Sequence, residues 1–180
     1  MKRDIQRIML ATAVPLFLIF ILFLLKIVEV GMDWDFSHMG IYPLEKRGIT
    51  GILTHPLIHS GFSHLLANTL PLFFLSWCLF YFYRGIAGRI FMIIWIGAGL
   101  LTFIIGKPGW HIGASGLIYG LAFFLFFSGI LRKYIPLIAI SPFCMEESSG
   151  ICSPTSLPPT CHGKDISAEE SWEHSVHSVS

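Results

Sequence analysis

Ile8 to Leu25 is a run of 18 residues without a single charge, and three similar runs follow at Leu65 to Tyr83, Ile90 to Gly106 and Ile112 to Leu131. Each approaches the roughly 20 apolar residues that a helix needs to cross a bilayer. A soluble domain of this length must cover itself with polar side chains, and a chain that is 54% hydrophobic and 13% charged has too few to do so. The pattern therefore predicts an all-α membrane protein. Its helices fall at about 8–30, 62–83, 89–106 and 112–131, with the start of a fifth at 134–142, where Pro136 and Pro142 bracket a short apolar stretch. Met1-Lys2-Arg3 before the first run fits a signal peptide, but the run is long for one and no small-x-small cleavage site follows. The first helix is expected to be retained, with Lys26 and Glu29 snorkelling at its end.

Loop charge sets the expected orientation. Lys2, Arg3, Arg7, Arg84, Arg89, Arg132 and Lys133 lie on one side of the four runs, and only Lys46, Arg47 and Lys107 on the other. The N-terminus is then cytoplasmic by the positive-inside tendency. A net charge of +1 offers no basic footprint, so no nucleic-acid partner is expected. The four cysteines lack paired metal spacing and imply no disulfide framework. From Met145 onward nine serines, three prolines and six of the eleven acidic residues crowd into the last 36 positions. Such a segment cannot offset its ordering entropy by burial. The chain thus divides into a membrane domain over 1–142 and a polar, disordered tail over 143–180.

Polar groups within membrane helices are costly to bury, which makes them functional candidates. His55, His59, His64 and Asn68 lead into the second run, and His64 and Asn68, four residues apart, share a helical face. Gly113-Ala114-Ser115-Gly116 opens the fourth run, with Tyr119 one turn beyond Ser115. Both runs cross from the outer side inward, so the two clusters lie at one depth, with Ser115 roughly 6 Å below His111 if the helix begins there. A serine between glycines, beside histidine and amide donors, suits acyl transfer: glycine admits a scissile peptide, and each donor to a developing oxyanion is worth about 3 to 4 kcal/mol. Plainer readings stand beside this one. Gly113, Ser115 and Gly116 also suit tight helix packing, and His64 and Asn68 suit interhelical hydrogen bonding. His55 and His59 have metal-ligand spacing, but no carboxylate or cysteine stands near them in sequence. Trp110 and His111 fit an interfacial position.

The order H-x-x-x-H-x-x-x-x-H-x-x-x-N (His55, His59, His64, Asn68), then G-x-S-G-x-x-Y (Gly113, Ser115, Gly116, Tyr119), resembles the rhomboid intramembrane serine proteases over about residues 5–142. The resemblance implies a six-helix bundle, of which this chain holds about four helices and a truncated fifth. Ser115 is then the nucleophile toward transmembrane segments of membrane-protein substrates, cut near the outer face. His64, Asn68 and the Ser115 amide form the oxyanion hole, with His59, Gly113 and Tyr119 in support. No cofactor or metal is implied, the lipid bilayer is the surrounding partner, and a bacterial inner membrane is the expected location. The loop from Gly31 to Gly48 would lie partly in the outer leaflet, although it lacks the Trp-Arg pair often found in the family.

The family's general base, a histidine on its sixth helix, is absent from this reading frame. His162, His174 and His177 lie in the polar tail, where nothing positions them. Ser115 without a base implies an inactive chain, because triad members act as a unit. A non-catalytic binder of membrane helices is the alternative, and a histidine-based metal transporter a weaker third reading. The tail has a further explanation. If each codon from Phe143 starts on the third base of the written one, synonymous choices permit L-Y-G-R-I-I-W-D-M-F-P; from Thr160 the same frame permits M-S-W-E-G-H-L-S-G-G-V-M. These strings resemble the family's fifth helix and its histidine-bearing sixth, so a one-nucleotide frameshift near codons 141–144 is expected.

Overall fold

The computed structural model describes residues 2–134; the segment predicted beyond Tyr134 and the tail at 143–180 lie outside the described residues. The described chain is all helical apart from one antiparallel bridge. Helix α1 spans Lys2–Gly31, a short α2 spans Gly51–Thr54, and α3 (Phe62–Phe82), α4 (Ala87–Ile105) and α5 (Ser115–Leu131) complete the set. Three are long and apolar enough to cross a membrane, over Ile8–Gly31, Phe62–Phe82 and Ala87–Ile105. They make the chain an integral, multi-pass membrane protein.

The fourth predicted span needs correcting. Helix α5 begins at Ser115 rather than 112 and has 17 residues, a length of about 25 Å. The reason is long-range pairing that hydropathy does not carry. His111 is extended and exchanges backbone hydrogen bonds of 2.8 and 2.9 Å with Ile41, and Gly113 at φ +108° turns the chain before helix can form. At the other end Lys133, at φ +53°, stops α5 in a Schellman turn: the Tyr134 amide returns to the Gly129 carbonyl at 2.9 Å and the Lys133 amide to Ile130 at 3.0 Å.

Helix α3 is the central strut, packed on α1 and α5, while α4 packs on α5 and on α2. Leu65, Leu72, Leu75 and Leu79 of α3 meet Leu117, Ile118, Leu121 and Leu125 of α5 in one buried cluster, with Leu22 of α1 joining it. Between membrane helices such side chains are held by close packing rather than by exclusion from water. Polar contacts set the directions. The Tyr83 hydroxyl donates to Ser128 Oγ at 2.6 Å near the ends of α3 and α5, and Gly113 lies against His64 near their starts, so these helices run parallel. The Trp77 indole donates to Thr12 Oγ1 at 3.1 Å while Lys26 reaches His59, so α1 runs antiparallel to α3.

Lys26 and Glu29 do not snorkel as expected. Both are buried, at 7% and 8% exposure, and pair at 3.0 Å. The carbonyls of the His59–Ser60 turn lie within reach of the ammonium, so turning inward satisfies its donors without water.

Candidate active site

Gly113 joins the two polar clusters. A Cβ placed on it would lie 2.7 Å from His64 Cε1, 3.0 Å from His64 Nε2 and 3.8 Å from Asn68 Nδ2. Only a residue without a side chain admits the imidazole this closely, and the positive φ adds a second demand for glycine. The Gly113 amide also donates to the His55 carbonyl at 2.9 Å, fixing the loop before Ser115 to the segment before α3. The two clusters therefore meet at one end of the bundle.

Ser115 is the first residue of α5, half-buried, directly after the fully buried Ala114. Amides in the first turn of a helix have no intrahelical acceptor, so the backbone around Ser115 is suited to present donors. Asn68 is 2% exposed, and its Nδ2 has no hydrogen-bond partner among the described residues. A buried donor left unpaired costs about 1–3 kcal/mol. His64 Nδ1 lies 3.2 Å from Ser60 Oγ, which leaves Nε2 on the side of Gly113. Neither His64 nor Asn68 makes the interhelical side-chain hydrogen bond that the sequence left open, among the described residues.

His59 packs edge-on against His64 with ring centroids 5.2 Å apart, and both its nitrogens are buried without hydrogen-bond partners among the described residues. Burial, with smaller contributions from the His64 and Lys26 charges, pushes its pKa down to about 4. His55 serves packing. Its Nδ1 lies 3.0 Å from the Gly51 carbonyl, its ring fills a niche bordered by Gly99 and Gly116, and burial lowers its pKa. Helix packing thus accounts for Gly116, whose Cβ would also touch Ala98 at 3.4 Å, but not for Gly113, whose neighbour is His64. Tyr119 is exposed at 36%, and with Phe123 and Phe127 it continues from Ser115 along one open stripe of α5.

The described histidines make no bond to Ser115: His55 engages Gly51, His64 Ser60 and His111 Lys107. Among the described residues no group of three or more histidine, cysteine or acidic side chains converges as a metal site. Trp110 stacks edge-on with Tyr42 at 5.3 Å, and the Arg47 guanidinium covers Tyr42 at 3.9 Å, so the loop after α1 is pinned over this end of α4. Sequence reasoning missed that attachment and the inward turn of Lys26. The available signal for the latter was two opposite charges three apart at the end of an apolar helix.

Residues 46–145 match the family model described as Rhomboid domain. The chain is 38% identical over 122 residues to uncharacterised proteins of Mycobacterium bovis and Mycobacterium tuberculosis, an alignment covering 63% of this chain and 50% of each relative. It is 35% identical over 81 residues to RHOMBOID-like protein 1 of Arabidopsis thaliana, covering 43% of this chain and 20% of that one. The chain spans about half the length of the mycobacterial relatives it matches. No solved structure matches it significantly.

Proposed function

The chain belongs to the rhomboid family, and from that premise we propose that its site is that of an intramembrane serine endopeptidase acting on transmembrane segments of membrane proteins. The observation that supports this most is the approach of Gly113 to His64 and Asn68, which sets two side-chain donors beside the backbone that carries Ser115. In the proposed reaction Ser115 Oγ attacks the scissile carbonyl carbon. The C–O bond forms as the carbonyl π electrons move onto oxygen. His64 Nε2–H, Asn68 Nδ2–H and the Ser115 amide donate to that oxyanion, where one such donor is worth about 2.7–4 kcal/mol. No cofactor enters the step.

The hydroxyl proton must pass to a base, and no described histidine engages Ser115. The open stripe of Ser115, Tyr119, Phe123 and Phe127 is the face from which a further helix would deliver one. In this reading the chain as translated is inactive, with its base concealed in the shifted frame of residues 143–180. Loss of the histidine base from such a unit costs on the order of 10^6 in rate. In this reading the site end faces outward, and the gathering of Arg84, Arg89, Arg132 and Lys133 at the opposite end supports it through the positive-inside tendency.

The test is cleavage of a single-span substrate in liposomes by the chain as translated, by a form whose frame is restored after codon 142, and by that form carrying Ser115→Ala. Cleavage by the restored form alone, lost on Ser115→Ala, is the expected result. Retention of bound substrate without cleavage in every form would favour a non-catalytic membrane-helix binder.

A further inference from the structure

Beyond the residues that would touch substrate, the buried end of α1 is wired to the turn that feeds His64. Lys26 Nζ donates to the His59 carbonyl at 3.0 Å and to the Ser60 carbonyl at 3.4 Å, and pairs with Glu29 Oε2 at 3.0 Å. Its three protons therefore have three acceptors. Glu29 Oε1 in turn accepts from the Phe36 amide at 3.4 Å, so the pair is braced against the following loop. Ser60, whose carbonyl Lys26 holds, places its hydroxyl 3.2 Å from His64 Nδ1. A neutral imidazole has one N–H, and the hydrogen bond at one nitrogen selects which nitrogen carries it.

We propose that Lys26 and Ser60 are positioning residues: Lys26 locks the His59–Ser60 turn, and the Ser60 hydroxyl donates to His64 Nδ1, fixing the proton on Nε2 where it faces Gly113. The inference rests on the protease reading, because only an Nε2–H on that side can meet an oxyanion formed at Ser115. It gives α1 a task besides anchoring. A bare membrane anchor needs no buried ion pair, and two charges removed from water repay their desolvation only through good geometry and added hydrogen bonds, both of which the turn supplies.

The experiment is NMR of the full chain with 15N-labelled histidine in lipid nanodiscs, the His64 signals being assigned by their loss in His64→Gln. A one-bond N–H coupling on Nε2 and none on Nδ1 is expected. Ser60→Ala should spread the proton over both nitrogens, and Ser60→Thr, which keeps the hydroxyl, should restore it to Nε2. The double variant Lys26→Met/Glu29→Leu replaces the ion pair by apolar groups of similar size and so keeps helix packing; it should lose the Nε2 preference while its helical content stays unchanged. A proton resident on Nδ1 in the unmodified chain overturns the proposal, as does an unaltered His64 signal in both Ser60→Ala and the double variant. The cleavage assay above separates the two ideas. Ser115-dependent cleavage with the proton on Nδ1 sinks the relay alone, whereas Nε2–H under Ser60 control without cleavage in the restored form sinks the protease reading.

Discussion

Gly113 carries the most demanding position in the site. Alanine there would meet His64 Cε1 at 2.7 Å and would have to hold φ +108°, so two penalties fall on one methyl group. Together they predict a loss of about 2–4 kcal/mol for Gly113→Ala. At Gly97 an added Cβ meets nothing within 4 Å, and Gly97→Ala should be neutral or stabilising by up to about 1 kcal/mol. Thermal unfolding of both variants in one detergent measures the contrast, and equal shifts would refute the crowding at Gly113. The shared helical face of His64 and Asn68 was legible from their spacing, and both side chains lie against Gly113. The partner of Gly113 was not, because contact between residues 49 positions apart leaves no local pattern. Lys26 was misjudged for the same reason. Its acceptors are backbone carbonyls 33 and 34 residues away, and hydropathy has no record of a carbonyl's position.

The segment from His55 to Ser60 carries two buried histidines and so ties the stability of this element to pH. Its His59 is 2% exposed and stays neutral down to about pH 4, while the unfolded chain takes up that proton as pH falls through about 6.5. Below 6.5 the unfolded state holds more protons than the folded one, so stability is complete at neutral pH and drains away between about 6.5 and 4. Lowered titration of His55 adds in the same direction. Unfolding midpoints at pH 7.5 and 5 should therefore differ more in the unmodified chain than in His59→Gln, and equal differences would exclude the buried imidazole as the cause. The spanning elements themselves could be read from hydropathy, which placed α3 and α4 within two residues of their observed bounds. Helix α5 was drawn three residues too long. The Ile41 to His111 bridge competes for those residues, and pairing of that kind follows tertiary position rather than apolar content.

For the whole molecule, parallel α3 and α5 bring both polar clusters to one end of the bundle and leave Arg84, Arg89, Arg132 and Lys133 at the other. That polarity predicts topology. A cysteine at the exposed Asp33 should react with an impermeant maleimide added outside intact cells, and one at the exposed Gly85 only after the membrane is opened. The reverse pattern would turn the site inward and contradict the proposed outer-face cleavage. The family could be read from two motifs in the correct order, and the structure brings the residues of both motifs to one end of the bundle. The base that the proposed reaction calls for lies outside the described residues. The most direct measurement is mass spectrometry of the frame-restored protein after treatment with a fluorophosphonate, which forms a stable adduct only with a serine activated as a nucleophile. A single adduct on Ser115, lost when the shifted-frame histidine is replaced by alanine, is the predicted result; an unmodified Ser115, or an adduct that persists without that histidine, would contradict the assignment of Ser115 as the nucleophile of a base-assisted protease.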